Sequence, residues 1–253
     1  MNKEHSELTP IPDLMKIKKI LCIQPHPDDL EIGIGATAAL LARAGKVVDC
    51  LTVTDGSVGT SDPHLHPDQV AAIRKAEAEK GAAVLGINQI LWLGLPDGGQ
   101  LSYVQVRGAI TRTIRQLKPE AVLVCDPWLP YEVHSDHIRT GLAAAEASYL
   151  ANMPHFCPED IQNNIQPHDV KIIAFYYTAY PNTIFDVSET WAIKMSALAC
   201  HASQFNRDKL NRIQQLLTAK AEKLAEDKPF KLAEALKILT PDHLHINEAA
   251  WKC

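Results

Sequence analysis

The 253-residue chain has no run of about 18 apolar residues, the length a membrane helix needs. Its opening stretch, Met1 to Glu7, carries no apolar signal-peptide core. Both absences predict a cytoplasmic protein with no membrane partner. No block of Lys or Arg occurs and the formal net charge is −5, which argues against a nucleic-acid partner. The six cysteines are far apart, with no Cys-x-x-Cys pair, and Cys22 and Cys125 fall inside apolar runs. They read as small buried hydrophobes in a reducing compartment rather than a disulfide framework. A serine-hydrolase elbow, Gly-x-Ser-x-Gly, is missing. Gly33-x-Gly35 follows the first apolar run but lacks the third glycine of a dinucleotide fingerprint, and His-Pro-Asp-Asp stands where a phosphate turn would be. There are no internal repeats.

With 46% hydrophobic residues, the chain can bury one large core, and a single domain over 1–253 is expected. Strand-like runs at about 19–24, 47–53, 90–93 and 121–125 alternate with helical patterns at about 29–44, 68–86, 101–118 and 136–150. That alternation predicts βαβ units and a parallel sheet. Beyond it come a Pro- and Asn-rich loop at 154–168, a β-rich stretch at 171–187, and helical patterns at 189–204, 207–226 and 229–238. Residues 241–245 show no periodicity. The fold class expected is α/β: Rossmann-like, mostly parallel, flanked by helices, with a β-rich and helical C-terminal extension.

Chemistry concentrates at two strand ends. Gln24-Pro25-His26-Pro27-Asp28-Asp29-Leu30-Glu31 follows the first strand, and Asp126-Pro127-Trp128-Leu129-Pro130-Tyr131-Glu132-Val133-His134-Ser135-Asp136-His137 follows the fourth. The C-terminal edge of an open α/β sheet is where such folds hold ligands. Paired carboxylates at a helix start can simply cap free N–H groups. Adjacent residues there diverge by about 100°, so one carboxylate can also bind a metal while the other faces the attacking water. The second cluster, with His134 and His137 three residues apart, favours the chemical reading.

These clusters resemble the LmbE/PIG-L family of zinc-dependent N-deacetylases. The resemblance extends through Thr54-Asp55-Gly56, Gly59-Thr60, Arg74 with Glu77, Leu95-Pro96-Asp97, and Ala197-Leu198-Ala199-Cys200-His201-Ala202-Ser203-Gln204. Leu21 to Asp29, Asp126 to Glu132 and Tyr176-Tyr177-Thr178 are similar to the archaeal branch that deacetylates diacetylchitobiose and N-acetylglucosamine. Ile34-Gly35-Ala36 departs from the family's usual Gly-Gly pair and bears on local packing.

The resemblance implies Zn2+ held by His26, Asp29 and His137, with Asp28 as general base. His134 would stabilise the oxyanion and protonate the leaving amine, and Asp136 would orient and charge it. Arg74 is expected to face the sugar, and His245, on the C-terminal stretch, to reach a neighbouring subunit's cleft in a homo-oligomer. His201 reads as a supporting residue, and the loop pair His64 and His66 as solvated. The expected activity is removal of acetyl from a small amino-sugar substrate. Two alternatives stay open: deacetylation of a GlcNAc-containing thiol precursor, and a non-catalytic sugar-binding protein on the same fold.

Overall fold

The computed structural model describes residues 10–99, 101–246 and 250–253; the signal-like stretch sought at residues 1–7 lies outside them. Seven strands form one sheet: β1 (Lys19–Gln24), β2 (Val47–Thr54), β3 (Gln89–Leu95), β4 (Ala121–Cys125), β5 (Ile172–Tyr176), β6 (Thr183–Asp186) and β7 (Ala233–Leu239). Their order is β3-β2-β1-β4-β5-β7-β6. The first five run parallel, and β7 is antiparallel to both of its neighbours. Because helices cover both faces, the central strands need no polar alternation. Leu21, Cys22, Ile23, Val122, Leu123 and Val124 are accordingly inaccessible to solvent.

Helices α1 (Asp29–Arg43), α2 (Pro67–Leu85), α3 (Tyr103–Leu117) and α4 (Ser135–Leu150) connect or follow the first four strands, as the alternation predicts. The chain winds outward from β1 through β2 to β3, then returns to place β4 on the other side of β1. This reversal opens a crevice above the C-terminal ends of β1 and β4, where the two motifs emerge.

The later part departs from its sequence pattern. The expected loop at 154–168 contains a short helix, α5 (Pro158–Gln162). Arg115, fully buried, ties this segment down by donating to the carbonyls of Ala151, Met153, Phe156 and Cys157 and pairing with Asp160 at 3.0 Å. The pattern at 189–204 shortens to α6 (Trp191–Leu198), while α7 (Arg207–Leu224) forms as expected. Residues 229–238 carry Ala, Leu, Glu and Lys, all good helix formers, yet they make β7, because pairing on both sides outweighs intrinsic propensity. Residues 241–245, expected to be irregular, lie in α8 (Pro241–Ile246).

Strand β7 also repairs a break in α1. Ile34 has non-helical angles (φ −140°, ψ 27°). The freed N–H of Thr37 donates to Glu234 Oε2 at 2.7 Å, and the carbonyl of Ile32 accepts from Lys194 Nζ at 2.9 Å. Glu234 and Lys194 pair with each other in the interior. The Gly35 position bears directly on this join, since a Cβ there would lie 3.2 Å from Lys194 Cγ.

Candidate active site

Asp28 is the N-cap of α1 and has φ 153°, a conformation side-chain-bearing residues rarely adopt. Such strain costs roughly 1–3 kcal/mol and persists only where surroundings enforce it. Its effect is to send the two adjacent carboxylates in different directions. Asp29 turns inward: its Oδ2 accepts the His26 N–H at 2.9 Å and sits 3.2 Å from His26 Nδ1 and 3.4 Å from His137 Nε2. Asp28 turns toward Arg74, with Oδ1 3.3 Å from Nη2.

One carboxylate oxygen thus lies between two imidazole nitrogens on different strand ends. Burial alone would raise the Asp29 pKa, but His137 and His26 hold it well below the usual carboxylate range. His26 faces carboxylates on both sides, since Nε2 is 3.2 Å from Asp97 Oδ1 and 3.5 Å from Asp136 Oδ2. Burial works against its charge, yet Asp136, Asp29 and Asp97 together push its pKa up to about 11. His137 is raised likewise against burial by Asp29, and its Nδ1 lies 3.3 Å from Glu132 Oε2. The buried His26 Nε2, His137 Nδ1 and Asp136 Oδ1 make no well-formed hydrogen bond.

A carboxylate oxygen set between two imidazole nitrogens, with further carboxylates on the far side of each ring, is a donor set that suits a divalent cation. His26, Asp29 and His137 supply the two nitrogens and one oxygen common at catalytic divalent-metal sites. Asp97, Asp136 and Glu132 stand behind the imidazoles, where such partners fix ring orientation. Among the described residues, His26, His134 and His137 also bring ligand-capable atoms within 4.8 Å of one another, as do His26, Asp97, His134 and Asp136. His26 belongs to both sets.

Two expectations change. His134 is the N-cap of α4, just ahead of the expected helix, and its Nδ1 accepts the Asp136 N–H at 3.4 Å. Its pKa is lowered, by burial first and then by His26 and His137, which together outweigh the opposing charge of Asp136. The Asp136 carboxylate does not orient the His134 ring: Oδ2 accepts the N–H groups of Gly98 and Gly99 at 3.2 and 3.1 Å and faces His26. That turn needs glycine, because Gly98 and Gly99 have φ of 91° and 80°, and a Cβ on Gly99 would lie 2.6 Å from Ser135 Oγ.

Arg74, expected at the sugar, is only 4% exposed, and it also donates to the Gly56 carbonyl at 3.0 Å. The Asp28 pKa rises to about 6, through burial and then the Asp29 charge, with Arg74 restraining the rise. His201 is buried 3.3 Å from Glu31, behind Asp28. His245 does not join the cluster in its own chain. Its ring lies 5.0 Å from that of Tyr149, which is twelve residues, or about 18 Å of helix, along α4 from His137.

Asp97, Glu132 and Tyr177 were missed as site residues. All three follow strand ends on the same edge, the signal that would have found them. Tyr177 donates to the Asp29 carbonyl at 3.2 Å and lies parallel to the His137 ring, 6.2 Å between centroids.

Comparison with known proteins agrees with this arrangement. Residues 21–148 match the family model for GlcNAc-PI de-N-acetylase, PIG-L. A curated relative, diacetylchitobiose deacetylase of Thermococcus kodakarensis, is 37% identical over 91% of this chain and 86% of its own length. The crystal structure of the N,N'-diacetylchitobiose deacetylase of Pyrococcus horikoshii, bound to its inhibitor MPG, superposes with a TM-score of 0.89 and 34% identity over 98% of this chain and 97% of that one. A probable N-acetyl-alpha-D-glucosaminyl L-malate deacetylase of Bacillus anthracis is 29% identical over 74% of this chain and 82% of its own. The family model covers half of the chain and the 37% identity extends over 91% of it, and on these grounds the protein belongs to the PIG-L (LmbE) family.

Proposed function

We propose that this protein is a zinc-dependent carbohydrate N-deacetylase that hydrolyses the acetamide of N,N'-diacetylchitobiose or N-acetylglucosamine, releasing acetate and a free amino sugar. The observation that carries the reading is the opposed pair at 28 and 29, one carboxylate drawn between two imidazoles and its neighbour held apart with a pKa near 6. The full-length similarity to diacetylchitobiose deacetylases supports the choice of sugar.

His26, Asp29 and His137 are the residues that would hold the metal. A divalent cation bound there polarises the amide carbonyl and makes a nearby water more acidic. Asp28 takes the proton from the attacking water. A base titrating near 6 is ionised at neutral pH yet still basic enough to accept that proton, and it can pass the proton on to the departing amine nitrogen.

His134 does different work from what its sequence position suggests. With Nδ1 accepting from the helix backbone and its pKa lowered, the neutral ring carries its hydrogen on Nε2. An uncharged N–H donor suits the oxygen that gains charge as the amide carbon becomes tetrahedral. Asp136 and the two glycines hold His26 in place, so their contribution to rate passes through the geometry of that ring.

The test combines metal analysis with amine release from GlcNAc, diacetylchitobiose and GlcNAc-malate. Zinc at one per chain with release from the first two supports the proposal. Release from GlcNAc-malate alone moves the protein to thiol biosynthesis. Sugar binding without release makes it a binding protein.

A further inference from the structure

A cavity of about 240 Å³ opens one residue beyond Tyr177. Thr178, next to the tyrosine that lies along His137, is on its rim. Its lining draws on β5 and β7 and on Asp126 and Trp128, which follow the β4 end leading to His134 and His137, and neighbouring strands are only about 4.8 Å apart.

Its walls are mostly apolar, with four aromatic rings among them. Trp128 meets Phe175 edge to face at 5.4 Å, and Tyr180 meets Trp251 at 6.0 Å across the opening. Trp128 and Trp251 nonetheless remain 54% and 55% exposed, so their faces are not used up by the protein's own packing. Two charged groups line the same space: Asp126, whose Oδ1 accepts the Trp128 N–H at 2.8 Å, and Lys237, which donates to the carbonyl of Trp251 at 3.2 Å. One acid and one base together favour a neutral ligand over an ion. Apolar ring faces with a few polar groups at the edge match a pyranose, which offers a C–H face and a rim of hydroxyls, and whose acetamide methyl needs an apolar wall.

We infer that this cavity receives the second sugar ring, the one that is not being deacetylated, and so sets the preference for a disaccharide over a monosaccharide. The inference rests on the proposed amino-sugar reading of the imidazole site. The loop 126–134 then has two tasks: its Trp128 end holds the distant ring and its His134 end meets the amide.

Both tryptophans are half exposed, so Trp128→Ala and Trp251→Ala retain the fold. For each, kcat/KM is measured on diacetylchitobiose and on GlcNAc, and binding of both sugars is measured by calorimetry. The disaccharide-to-monosaccharide ratio is expected to fall about tenfold, the upper range for loss of one aromatic contact, and calorimetry should show the same loss of preference. An unaltered ratio in both variants, or a wild-type protein that binds the two sugars equally, overturns the inference. Should the wild type cleave neither sugar, the proposed activity fails, while the calorimetric comparison still decides the cavity.

Discussion

Replacing Asp28 by Asn should make the metal-free protein more stable at neutral pH while removing its activity. In the fold, burial and the neighbouring Asp29 raise the Asp28 pKa from 3.8 to about 6. A carboxyl with a raised folded pKa binds its proton more tightly in the native state than in the unfolded one. Its contribution to stability is therefore full below about pH 4 and is lost as pH rises to about 6. Two pKa units correspond to about 3 kcal/mol at pH 7.5, and the same linkage gives less than about 1 kcal/mol at pH 4. Asn matches the neutral acid in shape and tolerates the same strained backbone, so the comparison isolates charge. Arg74 loses one partner but keeps its acceptor at Gly56, which trims the expected gain to about 1–3 kcal/mol. Urea denaturation in the presence of chelator, extrapolated at both pH values with the slope unchanged, measures the difference. A variant less stable than wild type at pH 7.5, or a gain of equal size at pH 4, would refute the argument. In the metal-loaded protein the same substitution should lower turnover about 10²–10⁴-fold.

Asp29→Ala and His137→Ala should lose stoichiometric metal while Asp28→Asn keeps it, because only the first two remove atoms from the shared centre; elemental analysis of dialysed protein decides. His134→Gln should retain about tenfold or more of the rate that His134→Ala loses, since an amide N–H can replace a neutral donor worth about 10²–10³-fold; equal rates for the two would mean that the imidazole must carry a transferable proton. Glu234→Ala should destabilise the fold by about 3–5 kcal/mol because it strands the buried Lys194, and adding Lys194→Met should recover most of that in thermal denaturation.

The strand-to-helix turns were legible because each pairs an apolar run with polar residues whose chemistry is unmistakable at that place. His26, Asp29 and His137 converge for that reason, and the parallel half of the sheet followed from the alternation of periods. Orientation within the clusters was not legible. That Asp136 serves Gly98, Gly99 and His26 instead of the neighbouring imidazole depends on contacts across 37 to 110 residues of chain. The stretch Ala233-Glu234-Ala235-Leu236-Lys237 misled for a related reason. Its composition suits a helix, and only the sheet edge beside β5, together with an amine waiting on α6, makes a strand of it. The contacts of Arg74 with Gly56, Pro27 and Asp28 were not legible either, because those loop carbonyls and that carboxylate come from elsewhere in the chain.

The join between Glu234 and the broken α1 also has a meaning in time. The residues proposed to hold the metal, His26, Asp29 and His137, all leave the ribosome well before β7. The carboxylate that caps the restarted helix arrives 97 residues after His137, about 5–20 s later at ordinary rates of synthesis. Through that interval the helix that begins at Asp29 has no partner for its break, and it is locked into register only as β7, the last strand, is made.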